Sequence, residues 1–468
     1  MIAIAKMYFG LILILCFYFA VGVLFVFYTP AWQTPDEPAH YNYIVQVATQ
    51  GCCPIIEKGD WDSAYLEQLK SNRFNSQLLK NLYTVQYEDH QPPLYYLLAT
   101  PIFWITNGSL YAVRLFSLLL GSGVVFFSYF IVRVLLPERP WVAVGTALLI
   151  AFLPQNIHIL ASVNNDALAW ALIALTLLMV ILYLKDKRLG KLSLNASGPL
   201  IMGILVGLSF LTKATTYFLV APVLLAIYLR WKEMRLSTQI ASRTEAVKIL
   251  LQHWMQFLVP SVFLGSLWWI RNLNVYGLPD FMGLQAHEQV VIGQVRTAEY
   301  IAQVGWQAYL VDVMKTTFTS FWGQFGWMAL PLKGWPILMV KGLLLASVSG
   351  WIIWLTRRYR QNIQKQKSFA SLQYAGWHIL VLTLIFTIAA YIGYNVSFLQ
   401  LQGRYLYSGL IPIALFLVLG LDIWGAEITR ITSHSTYLFH WLAISPLIFL
   451  PLLDIYILWR IIIPGLTP

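Results

Sequence analysis

Charge is what this chain has least of: 11% of its 468 residues are Asp, Glu, Lys or Arg, against 59% hydrophobic residues. That balance excludes a disordered or freely soluble chain. Cysteine is nearly missing as well. Cys16 lies inside an apolar run and Cys52 and Cys53 are adjacent, so the three provide neither a disulfide framework nor a spaced zinc site, and no chemistry is assigned to them. No segment repeats at a fixed period and no tract is of low complexity, which argues against a solenoid and against the matched halves of many transporters.

What fills the chain instead is a succession of apolar runs of about 20 residues, the length a helix needs to cross the hydrocarbon core. The predicted fold is all-α, a polytopic transmembrane helical bundle of about 11 to 12 crossings. Eleven are placed at 7–28, 110–136, 141–154, 167–184, 199–211, 217–229, 257–269, 337–355, 377–394, 405–424 and 439–457. The first run is too long and apolar for a typical signal peptide, so it is expected to be retained. The apolar segment 92–106 is short and fringed by Trp and Tyr, so it either crosses or lies in the interface.

A net charge of +11 would point a soluble protein toward nucleic acid, but here the position of the charge decides. The stretches 185–191, 230–248 and 357–367 hold 14 of the 31 basic residues and are expected inside, leaving no reason to invoke a nucleic-acid partner. The long loop 29–91 holds 8 acidic and 4 basic residues and is expected outside, as is the loop 271–336. Residues 1–468 then form a single membrane domain, with the N-terminus inside, the C-terminus outside and no soluble C-terminal domain. If 92–106 lies in the interface, Arg114 begins its crossing outside while Arg133 and Arg139 end it inside, as the positive-inside rule prefers.

This topology collects scarce ionisable residues on one face: Asp36, Glu37, His40, Glu88, Asp89, His90, Arg114, His158, Asp166, Lys213, Arg271, His287, Glu288 and Arg404. Such groups at a membrane edge are retained mostly where they pair or work. Pro38 suits a first helical turn, so Asp36 or Glu37 is expected at a helix start, with His40 one turn beyond Asp36 on the same face. The bland alternative is that the two carboxylates only cap a helix. Lys213 and Arg114 can serve an anion or snorkel to the interface. Arg404 is expected at the outer start of a helix, where the dipole gives a cation no support and an anionic partner is favoured.

Asp36-Glu37 after the first helix, His90-Gln-Pro-Pro-Leu94, Arg114-Leu-Phe, Asn165-Asp166, Gly207-Leu-Ser-Phe-Leu-Thr-Lys213 and Gln402-Gly-Arg404-Tyr405 occur in an order that resembles the GT-C superfamily of membrane glycosyltransferases. The similarity extends to the protein mannosyltransferase and aminoarabinose transferase branches, and to a bacterial branch of the superfamily. The resemblance implies transfer of one sugar from a polyprenyl-phosphate carrier to a lipid, glycan or protein acceptor, with inversion, on the extracytoplasmic face of the inner membrane. It also implies that Asp36 acts as base and that Arg114 and Lys213 hold the donor phosphate, with Glu37 and Arg404 as further candidates. His40, Glu88, Asp89 and His90 are placed against substrate or a divalent metal, although their spacing fixes no ligand set. Trp268, Trp269, Trp306, Trp322 and Trp327 either stack on sugars or sit in the aromatic belt. A transporter or flippase of lipid-linked saccharides is the alternative function. It would need midplane charges and broken helices in matched halves.

Overall fold

A computed structural model describes residues 2–185, 188–189, 192–236, 242–361, 374–432 and 437–468. Of the basic stretches expected inside, 186–187, 190–191, 237–241 and 362–373 lie outside the described residues.

Helix α1 (Ile2–Tyr28) leads into a folded loop that contains α2 (Glu37–Gln50), α3 (Ser63–Ser71) and a 3₁₀ turn, Ser76–Thr84. Asp62 starts α3 by accepting the Tyr65 amide at 2.9 Å, an ordinary N-cap. The chain returns through the short α4 (Leu94–Ile105) and enters α5 (Leu110–Leu135), which Ser109 caps. Helices α6 (Pro140–Ala151) and α7 (Pro154–Leu160) meet at 62°. Pro154 suits the first turn of α7 but cannot continue α6. Next come α8 (Asp166–Leu184), α9 (Leu194–Phe210), α10 (Val220–Leu236) and the long α11 (Arg243–Tyr276). A second long loop holds α12 (Leu284–Val290), α13 (Thr297–Trp322) and a small hairpin pairing Gln324–Phe325 with Leu330–Pro331. The chain finishes with α14 (Trp335–Gln361), α15 (Ala375–Ser397), α16 (Leu410–Thr432), α17 (Tyr437–Ile444) and α18 (Leu450–Ile457).

Among the described residues nine helices are long and apolar enough to cross a membrane, ten if the bent α6–α7 pair is one span. The protein is an integral membrane protein. Two of the eleven expected crossings differ from a straight span. The one at 141–154 is the bent pair, whose second arm is wholly buried. The one at 199–211 is a short helix that stops at Phe210, where the chain turns to present Lys213. Segment 92–106 forms only the 12-residue α4, about 18 Å long and short of the hydrocarbon core.

Close packing explains Gly203 and Gly207. A Cβ at Gly203 would stand 2.3 Å from the Phe257 carbonyl oxygen, and one at Gly207 would stand 2.7 Å from the Leu264 side chain. The α9–α11 contact therefore tolerates no side chain there. Helix α8, 83% buried over its span, forms the centre of the bundle. Its first residue, Asp166, joins the starts of α2 and α5 and the end of α9 at one end of the molecule, while its last turn leads to the basic stretch at the other. Nineteen residues at 1.5 Å each separate these ends by about 28 Å.

Candidate active site

The geometry begins with the backbone of Asp36, the residue before α2, whose φ of 69° is left-handed. A non-glycine residue in this conformation is uncommon and is retained where the surroundings enforce it. Its consequence is that the two adjacent carboxylates part company. Asp36 accepts from Arg404 Nη2 at 2.5 Å and from the Tyr87 hydroxyl at 2.8 Å. Glu37 turns into the bundle and accepts from Arg114 Nε at 2.7 Å and Nη2 at 2.6 Å, and from the amides of Trp32 and Val163.

That second pair is closed. Arg114 is 0% exposed, and its remaining donors go to the carbonyl oxygens of Val26, Thr29 and Pro30. All five guanidinium hydrogens are engaged, so Arg114 has nothing left for a donor phosphate and Glu37 nothing for an acceptor. The pair ties α1, α2, α5 and the start of α8 together. In this arrangement neither side chain offers a free group for the phosphate role expected of Arg114 or the catalytic role expected of Glu37.

The open cluster is made by Asp36, Arg404, Lys213, Asp166, Glu88 and His40. Arg404 is delivered by a 3₁₀ turn, Gly403–Gly409, that leads into α16. Gly403 allows this because a Cβ there would lie 2.4 Å from the backbone of Thr317 and Phe321 on α13. Lys213 Nζ meets Asp166 Oδ1 at 2.6 Å. Asp36 retains 23% side-chain exposure and Lys213 16%, and Arg404 keeps two donors, Nε and Nη1, without a protein partner. A buried guanidinium N–H left unpaired is costly and calls for an explanation.

Electrostatics set the protonation pattern. Burial by itself would raise the Asp36 carboxyl, but the Arg404 charge and the hydrogen bonds from Arg404 and Tyr87 outweigh it and hold the group below the ordinary carboxylate range. For Glu88 burial together with the neighbouring Asp36 charge outweighs Lys213, Arg404 and the Gln91 hydrogen bond, and pushes it up to about 8. One member of this carboxylate pair is therefore anionic and the other protonated at neutral pH. Burial, with help from the Lys213 charge, pushes His40 down to about 3. It remains neutral, with Nδ1 2.8 Å from the Tyr96 hydroxyl.

Asp89 and His90 face elsewhere. Asp89 accepts from Gln46 on α2 at 2.7 Å, away from Asp36. His90 Nε2 lies 3.2 Å from the Gln91 amide nitrogen. That nitrogen only donates, so the network assigns the His90 proton to Nδ1, which donates to the Tyr87 carbonyl at 3.1 Å. The ring packs on His287 of α12, centroids 4.2 Å apart. Among the described residues no three His, Cys, Asp or Glu side chains gather closely enough to hold a metal ion. The set His40, Glu88, Asp89 and His90 is thus spread over separate contacts.

Tyr87 and Tyr96 were not singled out in the sequence. Tyr87 holds Asp36, and its only signal was its place beside Glu88-Asp89-His90. Tyr96 and Asn165 join His40 to Gln91 through a buried polar chain. Arg271, grouped with the outer cations, instead donates to the carbonyl oxygens of Cys53 and Pro54 and pins the first loop. Trp268 and Trp322 are buried, 2% and 3% exposed.

Comparison with known proteins bears on the same architecture. The archaeal oligosaccharyltransferase AglB from Archaeoglobus fulgidus, solved with an inhibitory peptide and a dolichol-phosphate, superposes with a TM-score of 0.51 at 12% identity. The match covers 97% of this chain and 56% of that one. The chain has the GT-C fold. The family model for dolichyl-phosphate-mannose-protein mannosyltransferase matches residues 90–259, a stretch of the GT-C bundle that includes His90, Arg114, Asp166 and Lys213 but neither Asp36 nor Arg404. ArnT from Cupriavidus metallidurans bound to undecaprenyl phosphate is similar at 12% identity and a TM-score of 0.47, over 98% of this chain and 74% of that one. A second structure of the Archaeoglobus fulgidus oligosaccharyltransferase, a complex with Zn and sulfate, matches at 14% identity and a TM-score of 0.45, over 93% of this chain. The chain spans about half the length of the archaeal oligosaccharyltransferase chains it matches, 53% and 56% in the two structures. No curated protein sequence matches it.

Proposed function

We propose that the protein is an inverting glycosyltransferase that moves one sugar from a polyprenyl-phosphate carrier to an acceptor on the extracytoplasmic face of the inner membrane. The observation that carries this reading is the Asp36–Arg404 contact: an ionised, partly accessible carboxylate held by a guanidinium that still has two unpaired donors. Asp36 takes the proton of the acceptor hydroxyl or amine. The acceptor heteroatom attacks the anomeric carbon and the bond to phosphate oxygen breaks. Lys213 and Arg404 receive the negative charge left on the carrier phosphate. No acid is needed, because a phosphate is a good leaving group by itself.

The resting salt bridge adds an order of events. While Arg404 holds Asp36, the carboxylate is a weak base. A donor phosphate that engages Arg404 shares its charge and leaves Asp36 more basic once the sugar is in place. The orientation is supported by the basic stretches 185–191, 230–248 and 357–367, which begin at or within the last turns of α8, α10 and α14 and are expected on the cytoplasmic side.

Glu88 supplies a pH test. Protonated below about pH 8, it adds no charge beside Asp36. Ionised above that value, it places a second anion where the phosphate must bind. Donor KM is therefore expected to rise from pH ~7 to ~9 in the wild type and to stay flat in Glu88→Gln, with kcat at neutral pH little changed. A rise that persists unchanged in Glu88→Gln would assign the limb to another group.

The function itself is tested by mass spectrometry of envelope glycans and lipid-linked sugars in cells carrying wild-type protein or Asp36→Asn at equal membrane abundance. Loss of one sugar from a surface product, with its polyprenyl-phosphate donor accumulating, is expected. Unchanged profiles, where deletion of the protein does change them, would remove Asp36 from the chemistry and favour transport.

A further inference from the structure

The second long loop carries a surface feature that the catalytic proposal does not use. Helix α13 has two adjoining faces. One, with Thr317, Ser320 and Phe321, packs on the Gly403–Arg404 turn: Gly403 N donates to Ser320 Oγ at 2.7 Å, and the Tyr407 hydroxyl donates to the Phe321 carbonyl at 2.5 Å. The other face, with Val311, Met314, Lys315 and Phe318, borders a groove of about 720 Å³ completed by Leu332, Lys333, Ile337 and Lys341. Val311 and Met314 are 55% and 66% exposed in this groove.

Three lysines rim an apolar floor there. Lys315, Lys333 and Lys341 are all exposed, and none makes an ion pair among the described residues. The one carboxylate nearby in sequence on α13, Asp312, accepts from the Tyr300 hydroxyl at 2.6 Å. The groove lies at the active-site end of the bundle. The adjoining hairpin is tied there by Gln324 N donating to Gln155 Oε1 at 2.8 Å and by Trp327 Nε1 donating to the Trp32 carbonyl at 3.0 Å. Lys333 precedes the α14 span that starts at Trp335, and Lys341 lies about 9 Å further along it. From that position the long Lys341 side chain can reach back toward the lipid headgroups.

We propose that this groove binds an anionic phospholipid of the bilayer, its phosphate on Lys315, Lys333 and Lys341 and its acyl chains on Val311, Met314, Phe318 and Leu332. A free anion would use the lysines but not the apolar floor. A zwitterionic lipid would use the floor but present the lysines with no net charge. Only a lipid with net negative charge satisfies both. The ligand sits on the face of α13 next to the one that packs on the Arg404 turn, so its occupancy steadies the helix that holds that turn.

The test uses the full chain in detergent with phosphatidylglycerol or phosphatidylcholine added, read by native mass spectrometry. Retained phosphatidylglycerol is expected on the wild type. Its affinity should fall on the order of 100-fold in the triple variant Lys315→Gln, Lys333→Gln, Lys341→Gln. The three lysines have no ion-pair partners, so the variant is expected to fold. Independently, photoactivatable phosphatidylglycerol on the wild type should label peptides within 311–341. Equal retention of phosphatidylcholine, undiminished retention by the triple variant, or labelling confined to other helices would each overturn the proposal.

Discussion

Asp36→Asn is expected to lower kcat by about 10²–10⁴-fold while the protein still inserts, folds and binds donor. The amide keeps the size of the side chain and can still accept from Tyr87, so the left-handed turn before α2 should persist. What is lost is the negative charge that takes the acceptor proton. It is also the charge that Arg404 holds in the resting state, so the variant frees Arg404 and donor affinity should stay level or rise. A purified-enzyme assay with a polyprenyl-phosphate sugar reads both effects: kcat falls and donor KM does not increase. A variant in which KM rises while kcat holds would make Asp36 a binding residue and leave the base unassigned.

Arg114→Ala is expected to act in the opposite way, through the fold. It strips a buried Glu37 of its bidentate partner and removes the Arg114 donor from the carbonyl oxygens of Val26 and Thr29 at the α1 exit. Breaking a buried ion pair costs about 3–5 kcal/mol, a large share of the roughly 5–15 kcal/mol that holds a folded domain together. Thermal melting and size-exclusion profiles in detergent should show most of the protein unfolded or aggregated. The double variant Glu37→Met, Arg114→Met, which removes both charges and fills similar volume, should recover much of the folded yield. If Arg114→Ala instead remained stable and lost only donor affinity, the phosphate role first expected of it would be restored and the closed geometry would be misleading. The two variants therefore separate neighbouring carboxylates that look equivalent in the chain.

Much of this molecule was legible before folding was considered. Runs of apolar residues, the scarcity of charge and the clustering of basic residues in three stretches determined an all-α membrane bundle and which end of it collects ionisable groups. The reason is that the bilayer penalises charge and unpaired backbone locally, so segment composition suffices. The division of labour within the ionisable group could not be read this way. Asp36 and Glu37 are adjacent, yet one left-handed backbone angle sends them to different partners, Arg404 and Arg114, at sequence separations of 368 and 77 residues. Whether a cation holds a ligand or staples helices depends on how many of its donors other elements have already satisfied. For Arg114 that number is five and for Arg404 it is not, which only the packed tertiary structure decides.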